Sequence, residues 1–176
     1  HAVWQDKIKG LYLFAPTDVE IHTFYCGEIV DAQTQLAEKN SAYFKQGRQS
    51  FEAWAEAIYQ QDLDVIYYPE IGLDSLVANL ACLRLAPVQI TSWGNPLTSG
   101  LATIDHFISA EVFESGEASE HYTEQLHLLH SFPSYYEGYE GAAEPVEGTA
   151  FGLDADKKWL LCAGTAFKYQ FDFVKV

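Results

Sequence analysis

The sequence predicts an α/β domain organised around a parallel sheet, on three observations. Apolar residues switch along the chain between helical spacing and short continuous runs. The clearest run, Val65-Ile66-Tyr67-Tyr68 behind Asp64, has the unbroken apolar character of a strand buried on both faces, as parallel sheets require. Helix-length stretches separate the strand-like runs, which is what parallel crossovers need.

The elements follow in order. Val3, Trp4, Ile8, Leu11 and Tyr12 fall at helical spacing and predict an amphipathic first helix. A short strand over 21–26, a helix over 31–39 and a second extended piece over 42–45 come next. Ser50 is placed to cap the following helix, because its hydroxyl can accept from an amide that the first turn leaves unpaired. Phe51, Trp54, Ala55, Ile58 and Tyr59 form that helix's inward stripe. After the strand over 64–68, Leu73, Leu76, Val77, Leu80 and Leu83 mark a helix ended by Pro87. A strand over 88–93 is broken by Gly94-Asn95-Pro96, and 106–109 and 126–129 supply two more.

From about Ser131 to Thr149 no period survives among Pro133, Gly138, Gly141, Pro145 and Gly148, which predicts a connector. Trp159-Leu160-Leu161-Cys162-Ala163-Gly164 then reads as a strand opening a new sheet. The expected division is a first domain over 1–131, a connector over 132–149 and the start of a second domain over 150–176. No internal repeat is evident.

With 176 residues and 11 Tyr, 11 Phe and 4 Trp, the chain can bury a core and is not of disordered composition. It holds no Met and starts at His1, and it stops while an element is getting under way, so it is expected to be a piece of a longer protein. The formal charge of −15 sets a field that repels phosphate backbones and anionic lipids, so neither nucleic acid nor membrane is an expected partner. A small anion can still bind where a local Lys outweighs that field over a few ångströms. Cys26, Cys82 and Cys162 are far apart and lack metal-ligand spacing; they read as buried reduced thiols of a cytoplasmic protein. No apolar run is long enough to span a membrane.

Several motifs occur in a fixed order. Asp64-Val-Ile-Tyr-Tyr-Pro-Glu-Ile-Gly-Leu-Asp74 is followed by Arg84-Leu-Ala-Pro-Val-Gln89 and Trp93-Gly-Asn-Pro-Leu-Thr-Ser-Gly100. Ile104-Asp-His-Phe-Ile-Ser109 and His121-Tyr-Thr-Glu-Gln-Leu126 come after them. In order and spacing these resemble the catalytic region of bacterial O-GlcNAc-transferase-like proteins, the family that includes SPINDLY. The resemblance implies a GT-B architecture of two Rossmann-like lobes facing a cleft. This chain would hold most of the first lobe and the opening of the second.

The implied reaction is transfer of GlcNAc or a related hexose from a UDP-sugar to Ser or Thr hydroxyls of an acceptor protein, inverting and without a metal. The UDP-sugar is a donor substrate, and no resident cofactor is expected. Such a transfer needs a proton acceptor, a shaped sugar pocket and stabilisation of the departing diphosphate. Ligands of parallel α/β sheets sit beyond the carboxyl ends of the strands, and the loop after the strand over 88–93 suits that rule. Its Gly94 and Gly100 allow close backbone approach, Thr98 and Ser99 offer hydroxyls, and Asn95 and Pro96 complete the turn. The resemblance assigns this loop to the sugar and acceptor side. Relatives commonly carry His where this chain has Asn95, which cannot take up a proton near neutral pH.

By the same resemblance, His1 in His1-Ala-Val-Trp4 matches an active-site histidine, and Lys168 in Thr165-Ala-Phe-Lys168 matches a lysine that contacts the donor diphosphate. Glu70 lies just past a strand end and is a further group that could face the cleft. His106, His121, His127 and His130 show no metal-ligand spacing and read as structural or surface residues, with His127 and His130 on opposite strand faces. Asp62-Leu-Asp64 and Asp154-Ala-Asp156 read as solvated turns, so no metal is expected. The competing reading is a lobe that no longer catalyses and serves as a binding or scaffolding module. The sequence is compatible with an oligomer.

Overall fold

The structure, a computed structural model, describes residues 3–69, 71–131, 134–136, 141, 146–164, 169, 171 and 175. It divides into two compact units, His1–Glu137 and Gly138–Val176.

The first unit is α/β with parallel strands throughout, a Rossmann-like arrangement. The first expected helix begins as a π-helical turn, Trp4–Ile8, and continues as α1, Lys9–Phe14. Strand β1 (His22–Tyr25), helix α2 (Ala32–Lys39) and strand β2 (Tyr43–Gln46) follow. Then come α3 (Phe51–Tyr59), β3 (Val65–Tyr68), α4 (Ser75–Ala81), β4 (Val88–Ser92), β5 (His106–Ala110) and β6 (Gln125–Leu129). The strands form two parallel sheets, β1-β2 and β3-β4-β5-β6.

Side chains start the helices, at Ser50 as expected, while α4 is shorter than expected, starting after Asp74 and ending at Ala81, so that Leu73 and Leu83 lie outside it. Ser50 Oγ accepts from the Ala53 amide at 3.2 Å, and Asp74 Oδ1 accepts from the Val77 amide at 2.9 Å. Asp31 Oδ1 accepts from the Gln33 and Thr34 amides while Thr34 Oγ1 accepts from the Asp31 amide, a reciprocal capping box.

Helices α3 and α4 bury one face of the larger sheet. Trp54 and Ile58 of α3 and Leu80 and Ala81 of α4 meet Ile66 and Tyr68 of β3 in the core, with Leu85, Ala86 and Ile104 closing it. Each large apolar side chain so buried contributes about 1.5–3 kcal/mol. Phe24 of β1 packs edge-on against Trp54, bringing the smaller sheet onto the same core.

Four expectations need correction. β3 is buried on one face only: Ile66 and Tyr68 are inside, while Val65 is exposed, because helices cover a single side of it. The α3 stripe is shifted, with Ala57 buried and Tyr59 exposed, because the core contact centres on Trp54 and Ile58. Of the cysteines, Cys26 is half-buried and Cys82 and Cys162 are exposed; Cys82 caps the outer end of α4, so its helical position did not turn it inward.

The fourth correction concerns the second unit, where the strand expected over 159–164 is absent. A strand exists only in a ladder, and no described residue supplies a neighbour for this one. Leu160 and Leu161 are 95% and 91% exposed. What order the described part has is local. The turn Gly148–Phe151 ends in Gly152 at φ 73°, and the Trp159 indole donates to the Asp154 carbonyl at 2.8 Å.

Candidate functional site

The carboxyl edge of the larger sheet is where β3 and β4 release their loops, and two residues of the β4 loop join them. Gly94 lies so close to the chain after β3 that a Cβ there would strike the Pro69 carbonyl, so no side chain can be carried without displacing one loop. Asn95 Nδ2 donates to the Ile71 carbonyl at 3.3 Å. The Asn95 amide is thus committed to holding the neighbouring loop. Pro96 and Leu97 are exposed beyond it.

The rest of the loop leaves this edge. Thr98 Oγ1 donates to Glu124 Oε2 at 2.6 Å, the Ser99 amide donates to Glu124 Oε1 at 2.8 Å, and Ser99 Oγ bonds the same oxygen. The Thr123 amide donates to Thr98 Oγ1 at 3.2 Å. Thr123 and Glu124 immediately precede β6, so Thr98 and Ser99 are drawn to the amino edge of the sheet. Gly100 follows them at φ 66°, a left-handed conformation that favours glycine. The expected site loop is therefore divided. Gly94 and Asn95 sit at one edge of the sheet, and Thr98, Ser99 and Gly100 at the other.

Glu124 was not singled out from sequence, yet it is only 5% exposed. Burial by itself would raise its carboxyl, but the donors Ser99 and Thr98 outweigh that and hold it below the usual carboxylate range. The same edge carries the Gln89 network. Gln89 is fully buried; its Oε1 accepts from the Leu85 amide at 2.9 Å, and its Nε2 donates to the Leu83 and Thr103 carbonyls at 3.0 and 2.8 Å. Asp105 Oδ2 accepts from the Gln89 amide at 2.7 Å and from Arg84 Nη1 at 2.5 Å, and the guanidinium holds its carboxyl below the ordinary value. Two of the recognisable motifs thus work as scaffold.

Lys7 carries no distinguishing signal in the sequence, and it meets Trp93, the first residue of the quoted loop motif. The π-helical turn carries Lys7, whose Nζ lies over the Trp93 ring, 2.6 Å from its centroid, and donates to Ser134 Oγ at 3.1 Å. Burial lowers its ammonium to about 8. The turn is tied to α2 by the Trp4 indole, which donates to Gln33 Oε1 at 2.7 Å. Lys7 therefore brings a cation that loses its proton unusually readily to the first residue of the β4 loop. The only sequence signal was its place two residues before Lys9 in a helical stretch, which does not distinguish it from a solvated lysine.

His1, Glu70 and Lys168 lie outside the described residues. Among the described residues no three of His, Cys, Asp or Glu are grouped to hold a metal, and no helix is long and apolar enough to cross a membrane. His130 pairs with Glu111 at 2.7 Å and His121 ends a 3-10 turn, but His106 and His127 are in contact, which their spacing did not reveal.

No protein-family model and no curated protein matches the chain. Solved structures match it in fold. Among them is a mutant of the Thermobaculum terrenum O-GlcNAc transferase, 22% identical over 62% of this chain, with a TM-score of 0.55. The match spans 22% of that transferase's length. The fold of this chain is thus similar to part of an O-GlcNAc transferase.

Proposed function

We propose that this chain is part of a glycosyltransferase of the O-GlcNAc-transferase type. It moves GlcNAc or a related hexose from a UDP-sugar to Ser or Thr hydroxyls of a cytoplasmic protein, with inversion and without a metal. What supports this reading most is the loop leaving β4 at the carboxyl edge, where Gly94 and Asn95 meet the β3 loop, in a fold similar to that of such a transferase. Residues 1–131 make up most of the catalytic first lobe, 132–149 the connector and 150–176 the start of the nucleotide-binding second lobe.

In the reaction the acceptor oxygen forms a bond to the anomeric carbon as the bond to UDP breaks on the opposite face. The acceptor proton passes to a base, and the bonding electrons leave with the diphosphate. His1 is the proposed proton acceptor, imidazole being the side chain best suited to take up a proton at neutral pH. Lys168 is the proposed counter-charge for the leaving diphosphate, and Lys7 supplies a second cation on the first lobe. Asn95 positions the loop and does not take up the proton. Thr98, Ser99 and Gly100 serve the sugar side only as anchors of the loop, through Glu124.

Calorimetric titration of UDP and UDP-GlcNAc tests the proposal, on this chain and on a longer one continuing through a second lobe. Binding by the longer chain that disappears on Lys168→Ala supports the transferase. Absence of binding by a folded longer chain favours the second reading, a scaffolding module. That reading rests on Asn95, whose Nδ2 is spent on Ile71 where a transferase of this type would place a proton acceptor.

A further inference from the structure

His106 opens β5 and His127 is the third residue of β6, so they stand away from the loops at the carboxyl edge. In the parallel register His106 lies opposite Gln125 and Ile108 opposite His127, which puts both imidazoles on one face, diagonal to each other. Their rings are 4.7 Å apart at 73°, and His127 Nε2 is 3.0 Å from His106 Nδ1. Five consecutive register pairs hold the two strands, so the backbone beneath the pair is fixed before any ligand arrives. The opposite face of β5 is anchored in the interior by Phe107 and Ser109, 1% and 0% exposed.

We propose that His106 and His127 form a two-imidazole site for a borderline transition-metal dication such as Ni²⁺ or Zn²⁺. Neutral imidazole is the commonest protein ligand for these ions. Metal–nitrogen bonds of about 2.0–2.1 Å spanning a right angle to a tetrahedral angle place the two nitrogens roughly 2.9–3.4 Å apart. The observed separation lies inside that range, so binding requires the rings to turn their lone pairs outward and leaves the strands in place. His127 is exposed, which gives its ring room to turn and leaves the remaining coordination positions to water. Gln125, exposed on the same face, adds an oxygen acceptor. The net charge of −15 raises the local concentration of cations. Asp105 is not a ligand, being engaged by Arg84 and the Gln89 amide.

The site is separate from the proposed sugar transfer, which uses no metal. Its test is calorimetric titration of Ni²⁺ and of Zn²⁺ into the chain carrying His1→Ala, so that His1 does not compete. One equivalent should bind. His106→Gln and His127→Gln should each weaken binding by roughly 100-fold, because a second pre-placed ligand multiplies affinity by about that factor. His121→Gln should leave it unchanged. NMR gives a second measurement that needs no substitution in the pair, since substoichiometric Ni²⁺ should broaden the His106 and His127 ring signals before those of His22, His121 and His130. Equal binding by the double variant, or broadening that begins at other histidines, overturns the proposal.

Discussion

At the amino edge of the four-stranded sheet, Gln89, Asp105 and Glu124 each tie together two or three chain segments through buried or half-buried hydrogen bonds. At the carboxyl edge the joined loops rest on a close backbone approach at Gly94, one long bond from Asn95 and a lysine lying on a tryptophan. The difference separates two jobs. Dense, fully satisfied polar networks fix the register of strands and cost dearly when broken. Sparse contacts at a loop edge leave polar groups and backbone to meet a ligand, at the expense of local stability. Because Trp93–Gly100 begins at one edge and ends at the other, a single loop joins the stable end to the sparse one.

Breaking the amino edge should have the largest effect. Gln89→Ala strands the Leu85 amide and the Leu83 and Thr103 carbonyls, and each buried group so orphaned costs about 1–3 kcal/mol. Urea unfolding should show a loss of roughly 3 kcal/mol or more. A loss below about 1 kcal/mol would mean that this edge is not where the stability lies.

Glu124→Ala comes next, at about 1.5–3 kcal/mol for charge-assisted bonds to Thr98 and Ser99. It also carries a pH signature. The folded carboxyl is depressed, so the native state holds its proton less tightly than the unfolded chain. The contribution is therefore full above the unfolded value of about 4.3 and fades as pH falls through the lower folded value. Glu124→Gln should remove this part of the acid dependence, read as a flatter stability profile below about pH 4.3.

The contrast between the edges also explains what the sequence could tell. Helix starts at Asp31 and Ser50 were legible because a cap is a local event between residues two or three apart, whereas the Asp74 cap was hidden by Leu73, whose spacing fits the helix it precedes. Over 88–93 the strand was legible although its buried residues are the polar Gln89, Thr91 and Ser92, whereas over 64–68 it was legible because an apolar run records burial. The run at 159–164 misled for the same reason, since an apolar run also arises where no ladder forms. The site was legible only in part. The turn at Gly94 and Asn95 was legible because a Gly-Asn-Pro break announces it, whereas Glu124 reaches Ser99 across 25 residues and no local pattern reports such a pairing. The His106–His127 contact was hidden in the same way, being set by strand register across 21 residues.

Gly94→Ala attacks the sparse edge directly. The added methyl must displace the Pro69 carbonyl, at about 1–3 kcal/mol for an overpacked contact. The cost should sit toward the low end, because two loops can yield where two strands cannot. Hydrogen exchange should therefore quicken in the segments around Pro69 and Gly94 while the β4 and β5 amides stay protected. Equal loss of protection in the strands would show that the two edges are not energetically distinct.

Lys7→Met is the gentlest test and the one that separates binding from stability. Burial lowers the folded ammonium to about 8 from an ordinary 10.5. Between those values the unfolded chain binds more protons than the folded one, so this residue makes stability rise with pH across that window. Below about pH 8 the charged side chain carries its full desolvation penalty, and the face of Trp93 offsets part of it. Methionine keeps the stacked stem without the charge, so the variant should be marginally more stable at pH 7 and lose the rise between pH 8 and 10.5. Thermal unfolding at pH 7 and at alkaline pH reads both effects. If Lys7 serves the donor diphosphate, the same variant in the longer chain should bind UDP more weakly despite its greater stability. Unchanged UDP affinity together with the stability gain would leave Lys7 as a packing residue and move the leaving-group charge to Lys168 alone.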